Sequence, residues 1–118
     1  MANSIEQEIQ AKGPNAPRVT PADVEASIAS EFYFTAADGC FGAIGHRPNG
    51  VRAGTALSLL TFCVLILRNG TKIVGINYGS IDPAQHSVER GREDARAQAV
   101  EQIWPLLGYE LRSKLAKD

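Results

Sequence analysis

The sequence predicts one small α+β domain, and three stretches lead to that prediction. Two apolar, β-branched runs within residues 57–80, LSLLTFCVLILRNGTKIVGINYGS, flank Asn69-Gly70 and predict a central antiparallel β-hairpin. A helix start at Thr20-Pro21 precedes the hairpin, and an arginine-rich helical stretch follows it. The 118 residues suffice for one modest core, which we assign to residues 18–118.

The segment before the hairpin predicts an arm, a helix and a loop. Residues 1–17 are polar and end in GPNAP, which is typical of a flexible arm. Threonine as N-cap and proline at the first helical position, in Thr20-Pro21, predict a helix that we extend to Ala37. The aromatic cluster at residues 32–34 leaves a short extended segment open as an alternative. Residues 39–56 carry five glycines and predict a long Gly-rich loop.

The hairpin determines which side chains share a face. With Asn69-Gly70 as a two-residue type I′ turn, Leu65 pairs with Val74. Side chains alternate along a strand, which gives its first strand two apolar faces: Cys63, Leu65 and Leu67 on one, and Phe62, Val64 and Ile66 on the other. Helices, a further strand or another copy of the chain must therefore cover both faces.

The segment after the hairpin predicts a long helix and a short terminal helix. The long helix runs from about Ser87, after the cap signature Asp82-Pro83-Ala84-Gln85, to Trp104, because Pro105 disfavours helix at the residue before it. Gly91 within this helix predicts a close backbone approach. Its apolar stripe, small in the middle, consists of Val88, Ala95, Ala99 and Ile103. The terminal helix is predicted from the four-residue spacing of Leu107, Leu111 and Leu115.

Composition and motifs argue against several classes of function. A net charge of -1 provides no basic excess for generic nucleic-acid binding. The longest apolar run, residues 57–67, is about half of the roughly 20 residues that a membrane span needs, and we expect a cytoplasmic protein. Neither His46 nor His86 has a second ligand at metal-binding spacing, and a nucleophile elbow is absent from the sequence. We therefore expect no metal, no cofactor and no enzymatic activity.

Polar residues around the start of the long helix are the candidate ligand site. Arg92 and Arg96 lie about one helical turn apart, which suits contacts with a phosphate or carboxylate. An ordinary solvated face is the alternative, because Arg90 can pair with Asp94 and Arg96 with Glu93. The candidate ligand-binding residues are Arg90, Arg92, Arg96, Asn77, Tyr78, His86 and the loop residues Arg47 and Arg52.

Three segments also show a family resemblance: VTPADVEASIASEFYFTAADG, LSLLTFCVLILRNG and AVEQIWPLLGYELRSKL. Across roughly residues 18–115 the chain resembles a family of small tailed-phage accessory proteins known as gene-forty-nine-like or gene-sixty-six-like. This resemblance implies a phage or prophage origin. More loosely, the order of helix, hairpin and long helix is similar to that of Thoeris anti-defence phage proteins, which form oligomers and sequester a cyclic ADP-ribose signal.

Residues and resemblance together predict a non-enzymatic phage accessory protein in the host cytoplasm. We expect it to self-associate through the two-faced hairpin and to bind a small anionic, nucleotide-like ligand. Two alternatives stay open at this point. One is an inhibitor module that docks on a host protein by strand addition, and the other is a structural phage protein without a ligand.

Overall fold

The chain forms a three-stranded antiparallel sheet with helices before, between and after its strands. A computed structural model of the protein describes residues 16–46 and 51–117, with residues 51–54 described by their backbone alone. In chain order the elements are α1 (Pro21–Ser27), β1 (Ile28–Thr35), α2 (Ala36–Ile44), α3 (Val51–Leu59), β2 (Thr61–Leu67), β3 (Lys72–Asn77) and α4 (Val88–Leu115). The predicted α+β class is confirmed. The predicted arm, residues 1–17, lies almost wholly outside the described residues.

The sheet has the order β1-β2-β3, and α4 packs across one of its faces. The buried core consists of Val24, Cys63, Leu65, Leu67, Ile73, Ala95, Ala99 and Ile103. The predicted stripe is therefore confirmed except at Val88, which is exposed, while Gly91 is buried. A Cβ added at Gly91 would lie 3.0 Å from Oγ1 of Thr61, so the predicted close approach is confirmed.

The predicted helix from Thr20 to Ala37 is wrong beyond Ser27. Its start is as predicted, because the Thr20 hydroxyl accepts a hydrogen bond from the Asp23 N–H and the Asp23 carboxylate accepts one from the Thr20 N–H. The chain then extends into β1, which confirms the alternative for residues 32–34. Aromatic residues favour a strand, and pairing with β1 satisfies backbone groups of β2 that would otherwise lack partners.

The predicted loop over residues 39–56 is also wrong, because most of its described part is helical. Thr35 and Asp38 form a second capping box, in which the Asp38 N–H donates to the Thr35 hydroxyl at 3.1 Å. Asp38 therefore lies in the first turn of a helix, whereas the predicted helix that ends at Ala37 placed it just beyond a helix end. Gly45, with a φ of +80°, ends α2.

The β2–β3 hairpin is confirmed, but its turn and register differ from the prediction. The Leu67 N–H donates to the Thr71 carbonyl across a three-residue loop, in which Gly70 alone has a positive φ, +88°. The side chain of Asn69 stabilises this wider loop, because its Oδ1 accepts from the Thr71 N–H at 3.0 Å. Leu65 consequently pairs with Ile73 instead of Val74. A shift of one residue exchanges the two faces of a strand, so Ile73 points toward α4.

Helix α4 is continuous, so the predicted break before Pro105 and the separate terminal helix are wrong. It begins at Val88, next to the predicted start at Ser87, whose hydroxyl accepts a hydrogen bond from the Arg90 N–H. The cap signature at Asp82 belongs instead to a separate 3₁₀ helix, Pro83–Gln85. Pro105 removes one backbone hydrogen bond from the helix. Trp104 and Leu107, on either side of the proline, pack against the core and keep the chain helical there.

Candidate functional site

A polar pocket lies where the end of β3 meets the start of α4. Its cavity measures about 110 Å³, which is small beside the roughly 300–1,000 Å³ of typical sites for drug-sized ligands. The lining residues are Asn77, Gly79, Ser80, Gln85, His86, Ser87, Arg90, Gly91 and Asp94. Three of the predicted ligand residues, Asn77, His86 and Arg90, are therefore brought together here.

Local hydrogen bonds shape the wall of the pocket between β3 and α4. The side chain of Asn77 accepts a hydrogen bond from the Gly79 N–H at 3.0 Å, which turns the chain as soon as β3 ends. Gly79 has a φ of +87°, and a Cβ there would lie 2.7 Å from both Cβ and the carbonyl oxygen of Leu59. Glycine is therefore required at this position for two reasons, the left-handed backbone and the contact with Leu59.

His86 is held between this wall and the first turn of α4. Its Cε1 would lie 3.4 Å from a Cβ added at Gly91, so the missing side chain of the glycine makes room for the imidazole. The Nε2 of His86 is buried and has no hydrogen-bond partner within the described chain. Buried polar atoms of native proteins usually have a partner, and a partner from outside the chain would satisfy this one.

The charges around the pocket are one cation and one acid. Arg90 contacts Asp94 at 3.8 Å, and both side chains are more than half exposed. An exposed pair at this distance contributes little to stability, so Arg90 can exchange Asp94 for another anion. The start of α4 adds the positive end of its helix dipole on the same side.

Arg92 and Arg96 lie outside the pocket lining and have other contacts. The guanidinium carbon of Arg92 lies 5.7 Å from the centre of the Tyr33 ring, which is within cation–π range. Arg96 forms ion pairs with Glu25 at 2.7 Å and with Glu31 at 3.3 Å. The structure thus separates these two arginines from Arg90, and Arg96 joins α4 to α1 and β1.

The Arg96 cluster shifts the pKa of each of its members in the direction that the hydrogen bonds dictate. Hydrogen bonds from Arg96 hold the pKa of Glu25 below its ordinary value. The hydroxyl of Tyr33, followed by Arg96, does the same for the pKa of Glu31. Burial and the bond to Glu31 raise the pKa of Tyr33, and Glu25 and Glu31 raise that of Arg96. At neutral pH the two carboxylates and Arg96 therefore stay charged, while the Tyr33 hydroxyl stays protonated and neutral.

The remaining predicted site residues are outside the pocket lining or have no described side chain. Tyr78 directly follows β3, is 76% exposed and does not line the cavity. Arg47 lies outside the described residues, and of Arg52 only the backbone, in α3, is described. The sequence analysis missed Gln85, Ser87 and Asp94 as lining residues. The sequence showed Gln85 and Ser87 as parts of helix-cap patterns and Asp94 as an i,i+4 partner of Arg90. These local patterns did not show that the three side chains line one pocket.

The described part of the chain contains neither a metal site nor a helix that could span a membrane. Within residues 16–46 and 51–117, no group of three histidine, cysteine or acidic residues is arranged to hold a metal ion. Both cysteines are reduced, with Cys63 buried in the core and Cys40 half-buried on α2. Over the same ranges no helix combines the length and apolarity that crossing a membrane requires.

Fold and pocket together define a small α+β protein in which one long helix backs a three-stranded sheet and presents a polar pocket at its start. The chain belongs to the Phage protein (N4 Gp49/phage Sf6 gene 66) family, whose model matches residues 19–115. The matched range includes all three strands, α4 and every residue of the pocket lining. The family resemblance and the phage assignment are therefore confirmed. No curated protein and no solved structure matches the chain.

Proposed function

We propose that this phage protein is a non-enzymatic, oligomeric accessory protein that binds and sequesters a small anionic, nucleotide-like ligand in the host cytoplasm. A cyclic ADP-ribose or a cyclic oligonucleotide of a host defence system fits this description. The observation that carries the proposal is the polar pocket, where Arg90, His86 and Asn77 converge on the start of a 28-residue helix. A helix start combined with an arginine favours a phosphate or another oxyanion.

The cavity is large enough for only part of a nucleotide-like ligand. About 110 Å³ admits a phosphate-sized group but not a whole nucleotide. The sugar and base would therefore lie outside the cavity, next to the exposed ring of Tyr78. Aromatic rings stack on nucleic-acid bases of any sequence, with about 1–3 kcal/mol per base in favourable cases. Arg90 would hold the phosphate and Tyr78 the base.

The pocket groups favour binding over catalysis. The Ser87 hydroxyl caps α4 by accepting the Arg90 N–H, and so is engaged in the helix start. The Nε2 of His86 is buried beside Gly91 and is better placed to donate or accept one fixed hydrogen bond than to shuttle protons with solvent. These constraints support a site that holds a ligand without transforming it.

Strand addition to a host protein, the rival hypothesis, is disfavoured at β3. The Ile76 N–H donates to Oε1 of Gln98, and the Val74 carbonyl accepts from Nε2 of Gln102 at 2.7 Å. Two side chains of α4 thus occupy backbone groups at the outer edge of β3 that an added strand would need. A host protein captured in stoichiometric amounts through the edge of β3 would contradict this reasoning.

Thermal unfolding with a ligand panel tests the proposal. The panel contains cyclic dinucleotides and trinucleotides together with linear and cyclic ADP-ribose. A ligand present at one hundred times its dissociation constant stabilises the native state by about 2.7 kcal/mol. For a domain of this size the midpoint should rise by roughly 3 to 6 °C per kcal/mol. A flat response over the whole panel would overturn the proposal.

Two matched pairs of variants and one further substitution make the test specific to the pocket. Arg90→Ala should abolish the shift, whereas Arg112→Ala, at the far end of α4, should not. Tyr78→Ala should weaken binding, whereas Tyr109→Ala is the matched control, because the two tyrosines are 76% and 77% exposed. Asp94→Asn should strengthen binding, since it removes the acid from the lining. Equal shifts for Arg90→Ala and the unmodified protein would place the ligand elsewhere.

A further inference from the structure

The face of the sheet that points away from α4 is apolar, and its side chains stay partly or largely exposed within residues 16–46 and 51–117. Its residues follow from the strand register and form three cross-strand rows: Ser30–Ile66–Lys72, Phe32–Val64–Val74 and Phe34–Phe62–Ile76. Seven of these nine side chains are apolar. None of the nine is buried, and we call this grid the open face.

Exposure on the open face is concentrated in its large side chains. Phe32 is 58% exposed, Phe34 38% and Val74 45%. The exposed parts of the two phenylalanines together correspond to about one whole aromatic side chain, roughly 150–250 Å². Phe34 stacks on Phe62 with a centroid distance of 5.2 Å, so the rings form one continuous surface. Contiguous apolar patches of this kind are typical of interaction sites.

We infer that the open face is a dimer interface, on which a second copy of the chain packs sheet against sheet. Two copies present the same apolar grid to each other, so a two-fold axis makes the contact self-complementary. If the two-fold axis lies between the sheets, perpendicular to the strands and near Val64, the row Ser30–Ile66–Lys72 of each copy lies over the row Phe34–Phe62–Ile76 of the other. The two Lys72 side chains, one from each copy, then lie at opposite ends of the interface, about 13 Å apart along the strands.

Charge and edge protection favour face-to-face association. The net charge of -1 provides no strong repulsion between copies, and Lys72 is the one charged residue of the grid. Gln98 and Gln102 occupy backbone groups of β3, which disfavours growth of the sheet at that edge. An apolar face beside a protected edge is suited to a closed dimer and unsuited to a growing fibre.

The area predicts a reversible dimer. Strand spacing and residue rise give the open face dimensions of about 15 by 20 Å, or roughly 300 Å² in projection. A standard protein–protein interface buries about 800 Å² per partner, so this contact belongs to the class of small, transient interfaces. We expect a dissociation constant in the micromolar range. The dimer needs no ligand, because the pocket at α4 does not include the open face.

Sedimentation equilibrium of the ligand-free full chain over a range of concentrations, from about 1 to 500 µM, tests this interface. The unmodified protein should change from 12.7 kDa to twice that mass within the range. Val74→Lys introduces two charges into the contact and should weaken the dimer at least tenfold. Ile81→Lys is the matched control, because Ile81 is fully exposed on a loop and should leave the dimer unchanged.

A second variant keeps the test valid if Val74→Lys fails to fold. Phe32→Thr retains a residue that favours strands while removing the most exposed ring of the grid, and it should also weaken the dimer. A monomer at every concentration would overturn the inference, as would a dimer that neither variant weakens. Stoichiometric binding of a foreign protein to the open face of a monomer would overturn it too. The interface rests on the oligomeric part of the proposed function, so a monomer at every concentration would contradict that part as well. Ligand binding is measured separately by thermal unfolding and can succeed or fail independently.

Discussion

Replacing Gly75 by alanine tests how closely α4 packs on the sheet. Gly75 lies on β3, on the face toward α4, opposite Cys63. A Cβ at this position would overlap the Ala95 carbonyl oxygen and lie 2.7 Å from both the backbone nitrogen and Cβ of Ala99. The obstructing atoms are mostly backbone, so a change of rotamer cannot relieve the overlap and the helix itself must move.

The expected loss of stability follows from that geometry. Overpacking of a core costs about 1–3 kcal/mol where side chains can adjust. Because backbone is the obstacle here, we expect Gly75→Ala to lower the free energy of unfolding by about 3 kcal/mol or more. For a domain of this size the midpoint should fall by roughly 10 °C or more.

Urea denaturation of Gly75→Ala beside a matched glycine variant provides the assay. Gly108 lies within α4, and an added Cβ there would meet no atom within 4 Å. Gly108→Ala should therefore raise the free energy of unfolding by about 0.5–1 kcal/mol, because alanine is the better helix former. If Gly75→Ala unfolds within 0.5 kcal/mol of the unmodified protein, the close packing that we describe is refuted.

Three further predictions concern α4. Pro105→Ala should raise the free energy of unfolding by about 1 kcal/mol or more in urea titrations, because it restores a helical hydrogen bond; a loss of stability would show that the proline itself is needed. The pKa values of Glu25 and Glu31 are lowered from 4.5, so their stabilisation is present above that pH and is lost as pH falls through the lowered values. Arg96→Gln should therefore make the decline of stability between about pH 5 and pH 3 shallower, and an unchanged slope would contradict this. Gln102→Ala should expose the edge of β3 and increase turbidity on heating, whereas equal turbidity would mean that the edge is protected otherwise.

Interactions between neighbours in sequence were readable without a structure. Thr20 and Ser87 start helices because their hydroxyls accept N–H groups three residues further on. The Asn-Gly pair at residues 69–70 marked the hairpin, although the length of its loop was misjudged. The helix start at Thr35 and Asp38 was misread as a helix end, because short polar residues and glycine occur at both ends of helices.

The candidate site was predictable only in part, for a related reason. Asn77, His86 and Arg90 lie within fourteen positions of one another, and the turn between β3 and α4 brings them together. Arg96 lies outside the pocket lining, and its carboxylate partners, Glu25 and Glu31, could not be foreseen because they are 71 and 65 positions away in sequence. Helical spacing showed that Arg92 and Arg96 share a face, but not that this face packs toward α1 and β1.

By itself the sequence determined the α+β class, the hairpin, the starts of α1 and α4, and the family, because each depends on contacts within a few residues or on whole-segment similarity. Only the tertiary structure decided that residues 28–35 form a strand, that α4 continues through Pro105 and that the grid around Val64 stays exposed within the described residues. Strand pairing, helix packing and ion pairs join residues that are distant along the chain. Their free energies depend on which surfaces meet, and a pattern of neighbouring residues does not contain that information.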